Sequence, residues 1–465
     1  MKKQVKLIVI IAVVIAVLAL SLWGISLIPK DETGVTSGVS QSVKLYEVEK
    51  GNVTSVKVKN EWGEYELLSD GEGGFYEESV KDFPQHTDNV NALVSFASKV
   101  TAKRMIAENC EELEKYGLSE PKITVELTDK ENQTYKLSLG DEAPSGGRYF
   151  LYNDKNTVYT ISLVSAEAFM YDPLDFVDVM LTETLEELYI EKIELSGTVR
   201  EEPIVVVNME ESGDEDTTIL FTYDIIAPGS AHLESNVVKE FLTGFSGMYA
   251  EKAFITNPTA EDLSKYGFDN PYSAVKLTTG EKVNTVTVGK IDGETAYVMR
   301  GDRDIIYKAS KASVAWLETQ YPDLVSNLFL TPYIGDIKEV FVSVGGQGYT
   351  FKTEYSDATD LTVTYKGAKL DPENFKRFYQ MLVNAYLEDY STEEPQGEPL
   401  LTLTYTYKDS KTDKLELFES KTDPRKVVVV LNGKETQFLM RYNFVDKVKG
   451  DIKNLFDGKE IITSW

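Results

Sequence analysis

Cysteine is almost missing from this 465-residue chain: Cys110 stands alone. No intrachain disulfide can form, and a lone cysteine without a paired framework reads as a small packing residue. Histidine is nearly as scarce, with His86 and His232 only, so a zinc site built from Cys and His clusters is excluded. Positive charge is in deficit, 48 Lys and Arg against 76 Asp and Glu, for a net −28 spread along the chain. That balance argues against nucleic-acid binding, which needs Lys and Arg to neutralise phosphates, and reads as solubility. No Gly-x-Ser-x-Gly elbow occurs. Both histidines fall just ahead of a long helical stretch, on its entry loop, where a surface role is the plain reading. SGG (145–147) and VGGQG (344–348) open no helix and read as turns between strands rather than phosphate cradles. The densest acidic run, EESGDED (210–216), lacks the order of a calcium-binding loop and reads as a solvated hairpin tip.

What is present is ordinary globular material, 42% apolar and 27% charged, in a length that suits about three domains. The N-terminus departs from it. Residues 7–28, LIVIIAVVIAVLALSLWGISLI, carry no charge. As a helix they reach about 33 Å, enough for a hydrocarbon core of roughly 30 Å. Lys2, Lys3 and Lys6 precede the run, so the positive-inside bias expects residues 1–6 in the cytoplasm and the bulk of the chain outside. An uncleaved single-pass anchor is expected over a cleaved signal peptide, whose apolar region is usually shorter. No cysteine follows the run, so a lipoprotein anchor does not arise. Residues 29–43 are mostly small and polar and read as a tether.

Further along, KYGLSEP (115–121) and KYGFDNP (265–271) nearly repeat each other. Upstream, Asn109 and Thr259 each stand three residues before an acid, a capping-box spacing that predicts helix starts there. Leu113, Tyr116, Gly117 and Pro121, matched by Leu263, Tyr266, Gly267 and Pro271, then spell a short helix stopped by a left-handed Gly and a Pro. The motif therefore predicts structure rather than chemistry, with the tyrosines in packing roles.

Collinear context makes it a repeat. Behind each copy lie four alternating runs, predicted as antiparallel strands: 123–128, 135–140, 148–153 and 157–162, then 273–278, 285–289, 296–300 and 304–309. Each set ends in a similar phrase, DFVDVMLT (175–182) and DLVSNLFLT (323–331). Ahead of each copy stand a strand (55–60, 192–197) and a helical pattern (88–104, 235–252). A worn third copy follows. It has a helix over 371–390 capped by Asp371 with Pro372 at its first turn, Tyr390 and Pro395 at the heptapeptide spacing with Ser391 for glycine, and strands from residue 400. The expectation is an α+β chain of three tandem domains with mainly antiparallel sheets, 44–182, 183–331 and 332–463.

These motifs, with LGDEAPSGGRYF (139–150), resemble the bacterial "domain of unknown function 4340" family. The match is closest in the first copy, where Gly140 precedes Asp141; in the second, Gly289 is followed by Lys290. The resemblance implies an anchored extracytoplasmic protein associated with an ABC-type transporter and a gliding-motility-type auxiliary protein, and it brings no catalytic residues or cofactor. The leading expectation is a non-catalytic scaffold or accessory protein. It would be held in the bilayer by residues 7–28 and would partner a membrane protein such as an ABC permease. A cell-wall glycan-binding module using some of the 27 tyrosines and an envelope hydrolase are the other readings.

Overall fold

A computed structural model describes residues 42–144, 146–184, 190–209, 223–328, 330–355 and 361–465. The apolar run 7–28 and the acidic run 210–216 lie outside these residues. Among the described residues no helix is long and apolar enough to cross a membrane.

Period-two alternation becomes strand wherever it was read. Ile123–Asp129 buries every other side chain, and so does Leu401–Tyr407 over its first five residues. All strand pairings between the described elements of the first large sheet are antiparallel. Its eight strands run, from edge to edge, Phe75–Glu77, Gly63–Ser69, Val53–Asn60, Ile123–Asp129, Thr134–Glu142, Arg148–Tyr152, Val158–Ile161 and Arg104–Ala107. The chain builds three strands outward, crosses by a helix to the far edge, and returns through a four-strand meander.

The second sheet repeats this order with nine strands: Ala231–His232, Tyr223–Ala227, Ile204–Asn208, Lys192–Ser196, Ser273–Thr279, Lys282–Asp292, Thr295–Arg300, Ile305–Ser310 and Lys252–Thr256. The third repeats it again, from Ala368–Lys369 at one edge to Asp389–Tyr390 at the other, with Ile337–Val344 beside Leu401–Tyr407 at its centre. VGGQG makes the tight hairpin beside that centre: Gly345 and Gly346 both take positive φ between Val344 and its partner Gln347.

The crossover helices are shorter than their periodicity suggested. Thr87–Ser98 buries Val90, Leu93, Val94 and Ala97 and then stops. Residues Lys99–Ala102 leave the helix because they pair with a strand at the very start of the first repeat, Val43–Glu47. In the third copy the helix is Pro372–Val383, with the Asp371 carboxylate accepting from the Glu373 N–H at 3.0 Å. It buries Phe375 and Phe378 against Phe351 of the sheet, and Met381 beside them on the same helix is also buried. Each such ring contributes about 3–5 kcal/mol by the usual cost of truncation to Ala. Helix Asn443–Asp457 packs beside it and ends on left-handed Gly458.

Two compact units result. One comprises, of the described residues, 42–79 and 89–171 and holds the first large sheet. The other comprises 80–88 and 172–465 and holds the second and third. Within the latter the two closing phrases are not free tails. Val325 bridges back to Leu233 of the second sheet's loop, and three residues on, Leu328 bridges forward to Tyr386, just before the third sheet's edge strand. The first phrase does the same at the same offset: Val177 bridges to Gln85 and Met180 to Tyr249. Each phrase is thus a strap, and it leads into the following sheet as Val43–Glu47 leads into the first.

Candidate functional site

The heptapeptides fold as helix stops. In the second copy Thr259 caps Ala260–Lys265: its hydroxyl accepts from the Asp262 N–H at 3.2 Å, and the Asp262 carboxylate accepts from the Thr259 N–H at 2.9 Å. The Thr259 hydroxyl, donating to the Asp262 carboxylate at 2.6 Å, and then the Thr259 N–H hold that carboxyl below its ordinary pKa. Gly267 then turns left-handed at φ 82°, and the Phe268 N–H reaches back to the Leu263 carbonyl at 2.9 Å. The first copy ends identically, with Gly117 at φ 67° and Leu118 N–H to Leu113 carbonyl at 3.0 Å.

Its start differs from expectation. Asn109 caps nothing and itself takes φ 48°. The helix is a single 3-10 turn, Leu113–Tyr116, opened by Glu112 without a side-chain cap. The edge strand and Cys110, whose N–H is bonded to the Asn156 carbonyl at 2.7 Å, hold residues 107–110 out of the helix.

The strand glycines have a partner in these turns. A Cβ on Gly140 would fall under 3.0 Å from the Tyr116 carbonyl oxygen, and one on Gly289 would do the same at Tyr266. Both glycines sit inside the same irregularity of the meander, between Leu139 and Glu142 and between Val288 and Ile291. Tyr116 and Tyr266 lie against the next strand, on Tyr149 at 4.8 Å and Tyr297 at 4.5 Å between ring centres. Leu113, Tyr116, Tyr149 and Cys110 all pack on the buried Leu118, Leu151 and Val158. Pro121 and Pro271 stand at the entry to the following strands, where the Pro271 carbonyl accepts from Thr198 at 3.0 Å.

The third copy has lost the unit as a whole. Tyr390 is not a helix-end tyrosine: it lies in the edge strand and pairs with Phe438, so the Tyr-to-Pro spacing there does not mark a heptapeptide. By register the counterpart of Gly140 and Gly289 is Phe418, and the strand runs past it without irregularity. Glu393 takes over the anchoring. Its carboxylate accepts from Ser420 at 2.8 Å, the Lys421 N–H at 2.5 Å and Thr422 at 2.7 Å.

Other polar groups are also in structural positions. His232 Nδ1 lies 2.6 Å from Asp224 Oδ1 across a two-residue strand. Arg200, 7% exposed, donates to the carbonyls of Ser196, Trp316, Leu317 and Thr319 and to the Ser273 hydroxyl. Burial without a carboxylate lowers its pKa to about 10. A cleft of about 350 Å³ lies between Thr182, Phe245, Asn284 and Arg300, and one of about 670 Å³ between Glu388, Lys426 and Tyr442. Among the described residues no group of three or more His, Cys, Asp or Glu is placed to hold a metal ion.

The chain matches a family described as a domain of unknown function (DUF4340) over residues 78–250 and again over 224–404. It belongs to the DUF4340 family. The two matches overlap and together span 78–404, and the start of one follows the other by 146 residues, close to the spacing of the heptapeptides. Each DUF4340 match contains one complete turn-and-glycine unit, Gly117 with Gly140 or Gly267 with Gly289. The stretch beyond residue 404, where Phe418 stands in place of that glycine, lies outside both. No curated protein and no solved structure matches the chain.

Proposed function

We propose that this DUF4340 protein is a non-catalytic scaffold, anchored in the membrane by residues 7–28 with its sheets outside, that acts with a membrane partner such as an ABC-type permease. The observation that carries the reading is where the repeated residues sit. Tyr116, Gly117 and Gly140, and their counterparts Tyr266, Gly267 and Gly289, meet one another in closing a turn onto a strand. Residues repeated for chemistry would converge on a common open site; these converge on backbone. The anchor and partner rest on the uncharged N-terminal run and on what resemblance to the family implies.

Affinity purification of the full chain from solubilised membranes tests it, and a co-purifying permease is the expected result. Recovery of no membrane protein, together with pelleting of the chain by purified cell wall, would transfer the proposal to glycan binding. The exposed Tyr249, Tyr333 and Tyr390 are the tyrosines that such a glycan reading would use. External protease on spheroplasts should digest the bulk of the chain and leave the first thirty or so residues in the membrane; full protection would overturn the topology.

A further inference from the structure

The far edges of the second and third sheets are each covered by a one-turn, acid-capped helix from the strap that precedes them. On the second, the turn Pro173–Phe176 is closed by the Asp172 and Asp175 carboxylates and packs on strand Lys252–Thr256. Lys252 binds both carboxylates, 3.1 Å from Asp175. On the third, Gln320 and Asp323 cap the turn Tyr321–Leu324. Tyr321 lies on Tyr390 and Phe438 and donates to the Thr436 carbonyl at 2.6 Å.

The first sheet's far edge, Arg104–Ala107, holds the same place in the fold. Arg104 pairs with Thr160 as Lys252 pairs with Lys308. Yet Arg104 is exposed and no described carboxylate reaches it, while Met105 and Ile106 are 47% and 40% exposed, Ile106 at a shift in the strand register. The lead-in strand is present, with Lys44 paired to Thr101 where Met180 pairs to Tyr249. The acids are not. Asp172 and Asp175 stand eight and five residues before Met180, and the residues eight and five before Lys44 are Thr36 and Val39. At the register that covers the second sheet the chain's own upstream segment therefore offers no carboxylate; its nearest acids, Asp31 and Glu32, stand 13 and 12 residues before Lys44.

We propose that the Arg104–Ala107 edge is a docking site for a segment of another protein that carries an acidic capped turn followed by apolar residues, the same chemistry as DPLDFVDVMLT of this chain. The carboxylates would meet Arg104 as Asp172 and Asp175 meet Lys252, and the apolar residues would cover Met105 and Ile106. An exposed arginine beside exposed apolar side chains selects, at the contact itself, an acidic and apolar segment over a basic one.

The inference rests on the scaffold reading for the existence of a partner, and the two fail separately. A permease recovered from membranes alongside failed peptide binding removes this edge and leaves the scaffold. The probe is a fluorescein-labelled peptide of residues 172–182, titrated against the full chain in detergent micelles and followed by anisotropy. Saturable binding is expected, weakened at least tenfold by R104E and by M105D, retained by R104K, and weakened when Asp172 and Asp175 of the peptide are both changed to asparagine. Absence of saturable binding, or binding that R104E leaves intact and K252E removes, would overturn the proposal. So would a concentration-dependent dimer that R104E dissolves, since that outcome assigns the edge to a second copy of the chain.

Discussion

Gly140 lies so close beneath the Tyr116 carbonyl that no side chain fits between them: a Cβ there would fall under 3.0 Å from the oxygen and from the Gly117 carbonyl carbon. The close approach couples two stretches of sequence that lie 24 positions apart. It recurs between Gly289 and Tyr266, and it is missing as a unit from the third copy.

The first prediction concerns the rank of the two glycines. At Gly140 the obstruction is backbone, so G140A must push the turn off the strand, at about 2–3 kcal/mol. At Gly117 the nearest obstacle is the exposed Asp141 carboxylate, which can swing aside. G117A then costs only the left-handed backbone, about 1–2 kcal/mol. Urea denaturation should place G140A below G117A, and G289A should behave as G140A does. Equal effects, or a harmless G140A, would dismiss the close approach as a structural determinant.

A second prediction separates the two helix starts. T259A removes a complete capping box and should cost about 1 kcal/mol. At the matching Asn109 there is no cap to lose, only a positive φ, so N109G should be neutral or slightly stabilising. Thermal melts of the two variants decide this. A T259A protein as stable as the parent, or an N109G protein destabilised like T259A, would show that the helix starts are alike after all.

Why the strands were legible and the joints were not follows from range. Alternation such as ITVELT is a local record of which face is buried, and four such runs in a row imply a meander. Helix ends depend on what the next residues meet. Lys99–Ala102 continue a helical pattern in sequence, yet a strand some 55 positions upstream claims them. Tyr390 shared only a spacing with Tyr116. The better signal was the strand partner, where Phe418 stands instead of glycine, but it is meaningful only once Gly140 is known to touch Tyr116. Arg200 had no local signature, because its five acceptors come from Ser196, Ser273 and residues 316–319.

That arginine carries the third prediction. R200M keeps the length and the apolar stem but strands four carbonyls and the Ser273 hydroxyl in a buried site. An unsatisfied buried group costs about 1–3 kcal/mol, so the total should exceed about 3 kcal/mol even after partial relaxation. R200K should recover only part, because an ammonium cannot span the planar fork of acceptors. The measurement is the urea midpoint at unchanged slope. A shift for R200M within about 0.5 kcal/mol, the range of ordinary surface changes, would refute the staple.

The last prediction contrasts the two ways in which the chain fastens the loop after its edge strand. In the first copy residues 113–118 are held by backbone hydrogen bonds and glycine contact, which do not titrate. In the third copy Glu393 does the work, and its carboxyl is a balance of opposed effects. Burial pushes it up, but hydrogen bonds from Thr422, the Lys421 N–H and Ser420 outweigh that and hold it below the ordinary glutamate range. A carboxyl depressed in the folded state stabilises above its unfolded pKa, and the contribution is lost as pH falls through the folded value. Deuterium uptake over residues 391–399, corrected for the intrinsic pH dependence of exchange, should therefore rise on acidification from neutrality through the carboxylate range. Uptake over 113–118 should not. E393Q has one acceptor oxygen where the carboxylate has two, so it should show the acid-state uptake already at neutral pH and no further rise. A third-copy loop that stays protected in acid, or an E393Q loop as protected as the parent, would mean that the carboxylate is not what replaced the glycine pair.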